Sequence, residues 1–157
     1  MPGEISIRQA LPKDAACLGR MIAALLSELD GGPPQPERAA TLAALSQRLL
    51  AEPQNFTALI AEDAEGRAVA ALTLSACAAL YAGGHFGEIA EFYVVPAHRS
   101  GGLGAQMLAA AAALARERGW PRLEVGAPPL PDWQRSLDFY LRCGFEEVGP
   151  RLRLLLN

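Results

Sequence analysis

Val95-Pro96-Ala97-His98-Arg99-Ser100-Gly101-Gly102-Leu103-Gly104 joins an apolar strand to a long alanine-rich helix through a turn dense in glycine. The first turn of a helix carries backbone N–H groups without intrahelical acceptors, so a glycine-rich approach to it makes an anion site. Glycines at 101, 102 and 104 remove Cβ atoms where a phosphate would have to approach, and Arg99 adds a fixed positive charge with a donor fork. The turn lacks the Lys-Ser/Thr ending of an ATP-binding P-loop, and Gly102-x-Gly104 is only a fragment of the dinucleotide fingerprint. Taken alone, it leaves a structural connection and an anion site equally open.

Upstream of the turn, Ile5 and Ile7 begin a short strand that Pro12 closes. Leu18, Ile22, Leu25 and Leu29 recur at helical spacing and predict a helix from about 13 to 29. Asp30-Gly31-Gly32-Pro33-Pro34-Gln35-Pro36 breaks it, and a second helix follows over roughly 36 to 51 with Leu42, Leu45 and Leu49 on one face. Phe56 to Ala61 and Ala68 to Ser75 read as a hairpin around the polar Glu62 to Arg67 turn. Gly83, Gly84 and Gly87 mark the next turn, and Glu88 to Val95 the fourth strand. Regular alternation there puts Ile89, Glu91, Tyr93 and Val95 on one face and Glu88, Ala90, Phe92 and Val94 on the other; a bulge would shift it.

Downstream, Leu103, Met107 and Leu114 give a helix from about 102 to 118 that Gly119 ends. Leu123 and Val125 form a short strand, and Asp132 is the expected N-cap of a fourth helix that reaches Arg142 and stops at Gly144. Phe145 to Val148 and Arg151 to Leu156 are expected as two closing strands. This order predicts an α/β fold: a mixed, mostly antiparallel twisted sheet flanked by helices, in a single domain over 1–157.

A net charge of -3 without a basic run gives no electrostatic footprint for nucleic acid. The alanine-rich run from 109 to 115 is too short to cross a bilayer, so no membrane association is expected. Three widely spaced cysteines without a CxxC point to a reduced, cytoplasmic setting, as does the lack of a basic and apolar leader after Met1. His85 and His98 have no spaced metal-ligand companion, so no metal is expected.

Two motifs make the reading specific. Arg99-Ser100-Gly101-Gly102-Leu103-Gly104, preceded by Val95-Pro96, resembles the acetyl-CoA signature Arg/Gln-x-x-Gly-x-Gly/Ala of the GCN5-related N-acetyltransferase (GNAT) superfamily. Ser136-Leu137-Asp138-Phe139-Tyr140-Leu141-Arg142-Cys143-Gly144-Phe145 is similar to that family's Ala-x-x-Phe-Tyr-x-x-x-Gly-Phe element. The resemblance implies the acyl-CoA N-acyltransferase fold, acetyl-CoA as co-substrate, and direct attack by a primary amine in a ternary complex. It implies that backbone N–H groups of Arg99, Ser100, Gly101, Gly102, Leu103 and Gly104 hold the pyrophosphate, with Val94 and Val95 beside the pantetheine arm. Ser136 and Tyr140 fall in the second motif; Trp133 stands where many relatives have a cofactor-holding asparagine.

The resemblance also makes Tyr140 the expected acid for the departing thiolate. Glu91 is the expected base, with Glu88, Glu124 or water as alternatives. Asp30, His85, Phe86, Glu88, Glu91 and Tyr93 are the candidate acceptor residues: carboxylates orient an ammonium, and aromatic faces add a cation-π wall. Together these imply a small-molecule amine acceptor and allow a homodimer. The alternatives are acetylation of peptide N-termini or lysines, and a non-catalytic acyl-CoA-binding regulatory module.

Overall fold

The computed structural model describes residues 3–127 and 133–156. In chain order its elements are β1 (Ser6–Gln9), α1 (Ala15–Asp30), α2 (Pro36–Leu50), β2 (Phe56–Glu62), β3 (Ala68–Ala79), β4 (Gly84–Val94), α3 (Leu103–Glu117), β5 (Leu123–Val125) and α4 (Gln134–Arg142). Single 3-10 turns occur at Pro12–Asp14, Leu80–Ala82 and Pro96–His98. The sheet runs β1-β2-β3-β4-β5. Its first three pairings are antiparallel, β5 follows β4 after the α3 crossover, and the result is the expected mixed sheet flanked by helices. The chain divides into two compact units, Met1–Glu124 and Val125–Asn157.

In the first unit, Leu18 and Ile22 of α1 are buried against Ala58, Ile60 and Ala71 of the sheet. The stripe thins along the helix: Leu25 is half-buried and Leu29 exposed. Helix α2 crosses α1 at Gly19, where an added Cβ would stand 2.6 Å from the Ala43 backbone nitrogen and 2.8 Å from the Ala39 carbonyl oxygen. Only glycine permits that approach, because the atoms it meets are backbone and cannot swing aside. The crossing also fixes which face of α2 turns inward. Ser46 and Leu50 are buried and Leu42 is half-buried, whereas Leu45 and Leu49, expected on the apolar face, are exposed. The close crossing on small residues thus overrides the spacing of the large ones.

The β3–β4 hairpin is longer than the sequence suggests. Both strands gain four residues toward the turn, which shrinks to Leu80–Gly83. Gly84 and Gly87 therefore lie within β4. Gly87 is there because a Cβ would stand 2.7 Å from the Trp120 ring and 2.8 Å from Leu123; its glycine serves packing rather than chain reversal.

The two closing strands do not form: residues 145–148 and 151–156 carry no strand. Leu152, Leu154, Leu155 and Leu156 are all exposed. An apolar run becomes a strand only where a ladder takes up its N–H and C=O groups and a face is buried, and neither holds here. The expected N-cap Asp132 lies outside the described residues.

Candidate active site

The turn expected to bind an anion enters α3 through left-handed backbone. After the 3-10 turn, Ser100 takes φ 66 and Gly102 φ 88, both left-handed, and α3 begins at Leu103. The first helical bond runs from the Gln106 N–H to the Gly102 carbonyl. The N–H groups of Leu103, Gly104 and Ala105 therefore have no intrahelical acceptor, and the Gly102 N-cap has no side chain to take one. A Cβ built at Gly101 or Gly102 meets nothing within 4 Å, so the approach is open.

Arg99 does not face that opening alone. Its Nη1 and Nη2 donate to the two carboxylate oxygens of Glu28 on α1 at 3.0 and 2.7 Å, and its Nε donates to the Val94 carbonyl at 2.8 Å. The guanidinium lies 5.4 Å from the Tyr93 ring centroid. The Glu28 carboxyl is held below its ordinary pKa by the Arg99 hydrogen bonds, and burial raises that of the Tyr93 hydroxyl. At the end of β4, the Val95 N–H donates to the Val69 carbonyl and the Val95 carbonyl accepts from the His98 N–H. Glu28 stands 71 residues from Arg99, and nothing in the sequence signals the pair.

A bulge sets the carboxylates of β4. Leu72 pairs with Phe92 and Leu74 with Ile89, so Ala90 and Glu91 together oppose Thr73. Ser75 lies opposite Glu88 and Ala71 opposite Tyr93, and opposite residues share a face. Glu88 and Tyr93 therefore lie on the face that carries Ala71 and α1, not on opposite faces as regular alternation predicts. Ile89 correspondingly joins Phe92 and Val94 on the other face. Buried Thr73 secures the bulge: its Oγ1 accepts from the Glu91 N–H at 3.0 Å and donates to the Glu91 carboxylate. The Cys77 Sγ lies 3.9 Å from a Glu88 oxygen. Phe86 is opposite Cys77 and buried, so Phe86, Glu88 and Tyr93 line one face.

Other acceptor candidates fall elsewhere. His85 belongs to β4 rather than to a loop; it pairs with Ala78 and is exposed. Asp30 ends α1, and its carboxylate lies 2.8 Å from Arg38 of α2. Glu124 on β5 lies 3.5 Å from Arg122. A recess of about 440 Å³ shares no residue with these groups; Arg8, Asp14, Cys17, Arg20, Glu62 and Arg67 help line it. Within it Arg8 bonds both Asp14 oxygens, at 2.9 and 2.8 Å, and also Glu62. The Arg8 hydrogen bonds hold the Asp14 carboxyl down at about 2 in a partly exposed ion cluster. No group of three or more His, Cys, Asp or Glu suited to a metal occurs among the described residues.

In the second unit, Tyr140 sits near the end of α4 with its ring 5.4 Å from both Phe139 and Phe145. Burial pushes its hydroxyl pKa up to about 12, so it keeps its proton through neutrality. The second motif is also a helix stop. Gly144 takes φ 98, its N–H donates to the Leu141 carbonyl, and the Phe145 N–H donates to the Tyr140 carbonyl at 3.0 Å. This is a Schellman cap, with Phe145 packed on Tyr140. Ser136 is half-buried in α4, and Trp133 occupies the N-cap without a side-chain capping bond.

The model of the acetyltransferase (GNAT) family matches residues 22–145, and the chain belongs to that family. Among solved structures it is similar to an aminoglycoside acetyltransferase from an uncultured soil metagenomic sample in complex with trehalose, at 22% identity over 98% of this chain and 97% of the other, TM-score 0.75. A predicted acetyltransferase with acetyl-CoA from Clostridium acetobutylicum matches at 22% identity over 97% and 96%, TM-score 0.77. The ribosomal-protein-alanine N-acetyltransferase of Brucella melitensis biovar Abortus 2308 matches at 20% over 96% and 100%, TM-score 0.69. A comparison with curated proteins found no match. At these identities the structural likeness establishes the fold. No helix among the described residues is long and apolar enough to cross a membrane.

Proposed function

We propose that this protein transfers an acetyl group from acetyl-CoA to a primary amine of a small molecule. Family membership supports the acetyltransferase class, and the unbonded N–H groups at the start of α3 support a phosphate-bearing donor there. The observation that carries the acceptor class is the bulge, which turns Glu88 to the face of Tyr93 and Phe86 while Thr73 holds Glu91. Glu88 on that strand face, with Glu91 held by Thr73 of the same face, supplies two carboxylates that suit an ammonium group.

Transfer requires a neutral nitrogen. Glu91 takes the ammonium proton, directly or through a water; its carboxylate has acceptor sites left beside the Thr73 bond. The amine attacks the thioester carbonyl and the C–N bond forms; as the C–S bond breaks, Tyr140 gives its retained proton to the thiolate, and the surplus proton on the new amide nitrogen passes through water to restore the Tyr140 hydroxyl. No acyl-enzyme is needed, since both reactants are bound together.

The test is acetyl-CoA-dependent thiol release against small primary amines, aminoglycosides, polyamines and peptides with free N-termini. Turnover with small cationic amines, and loss of the acidic limb of the pH–rate profile in Glu91→Gln, is the expected result. Turnover with peptides alone assigns the acceptor to that class, and acetyl-CoA binding with no release across the panel assigns a regulatory module. An unchanged rate and acidic limb in Glu91→Gln removes it as base.

A further inference from the structure

Arg99 is the one cation of the 95–104 turn apart from any charge on His98, and its obvious role there is to neutralise a bound phosphate. The geometry points to a different one. We infer that Arg99 is a strut rather than a phosphate ligand, and that Glu28, with Tyr93, is the positioning residue that holds it. Three of its five N–H donors are already engaged, two by Glu28 and one by the Val94 carbonyl. The carboxylate neutralises its charge, and the pair is bidentate, the arrangement that fixes a guanidinium in orientation as well as place. Tyr93 stands beside the pair, its ring centroid 5.4 Å from the guanidinium and its hydroxyl near enough to Glu28 to help hold the carboxyl pKa down.

The consequence concerns shape. Val94 is the last residue of β4, and Ser100, immediately after Arg99, is the only described residue other than glycine with a positive φ. A left-handed serine is a strained conformation that persists only where its surroundings impose it. The Arg99 side chain ties the residue before that kink both to the strand end and to α1. It thereby sets where the N–H groups of Leu103, Gly104 and Ala105 point. Glu28 also lies in the last turn of α1, just before the 31–35 connection, so the same strut joins the donor turn to the end of α1.

This inference rests on the reading of the turn as the acetyl-CoA site, and the two answer to different measurements. Titration of the wild-type protein with acetyl-CoA tests that reading: no binding overturns it. Given wild-type binding, the sign of the Glu28→Gln effect decides the inference. A strut loses its anchor, and Kd for acetyl-CoA rises about fivefold or more; a carboxylate that merely competes with phosphate for Arg99 would instead let Kd fall. Arg99→Gln should raise Kd by a similar factor, and the double variant should be no weaker than the worse single one, since both remove the same support. Kd unchanged or lowered in Glu28→Gln, or additive single effects, overturns the strut. Tyr93→Phe, which keeps the ring and removes only the hydroxyl, guards against misfolding: it should raise Kd for acetyl-CoA by a smaller factor, with the unfolding midpoint unchanged. No change in its Kd removes Tyr93 from the network.

Discussion

Two glycine-bearing turns look alike as sequence and are opposites as structure. At 99–104 a chain enters a helix with its N–H groups unanswered and open space over Gly101 and Gly102. At 143–145 a chain leaves a helix with its carbonyls capped and an aromatic ring packed over the cap. An open helix start offers donors to a ligand, whereas a closed helix end offers only shape and a positioned side chain. The first turn is therefore the place to look for binding, and the second for stability and for whatever Tyr140 contributes.

Substitutions can break that contrast. Gly102→Asp has the largest expected effect: aspartate tolerates the left-handed conformation, so the fold survives, but its charge stands where phosphate would sit. Calorimetric titration should show acetyl-CoA affinity reduced roughly a hundredfold; an unchanged Kd would mean the anion binds elsewhere. Tyr140→Phe keeps the rings around Phe139 and Phe145, so the unfolding midpoint should hold while kcat falls on the order of a hundredfold. Because the Tyr140 hydroxyl pKa is raised, protonated enzyme persists beyond the ordinary tyrosine range and is lost only as pH climbs through about 12. Any alkaline limb at lower pH belongs to another group and should persist in the variant.

Smaller effects sharpen the contrast. Gly144→Ala forces a Cβ into φ 98 and should destabilise by about 1 kcal/mol or more, read by denaturant midpoint, with acetyl-CoA affinity unaltered. A matching loss of affinity would show that the closed turn also shapes the donor site. Ser100→Gly relieves a left-handed serine and should stabilise by up to about 1 kcal/mol. Its Kd should stay within about twofold, because the helix N–H groups remain.

Much of the fold was legible because it depends on periodicity and punctuation. The leucine spacing of α1, the polar hairpin turn at 62–67 and the glycines at 119 and 144 are local signals with local causes. What misled was glycine read as chain reversal at 84 and 87: Gly84 takes φ 122 within the strand, and Gly87 makes room for the Trp120 ring. The α2 face went astray for a related reason: Gly19 on another helix decides which side of α2 can come close. In the candidate site, the 99–104 turn was visible as a contiguous motif. The shared face of Glu88 and Tyr93, the Thr73 anchor and the Glu28 partner of Arg99 were not, since each joins residues distant along the chain.

By itself the sequence determined the class of protein: two short motifs in order specify an open helix start and a capped helix end, because the conformations they need are written in adjacent glycines. Only the tertiary structure decided how the charged groups are used. One extra residue in β4 turns Glu88 to the face of α1, and one carboxylate on α1 pairs with Arg99. Register and long-range ion pairing arise from packing between elements, and no local pattern encodes them.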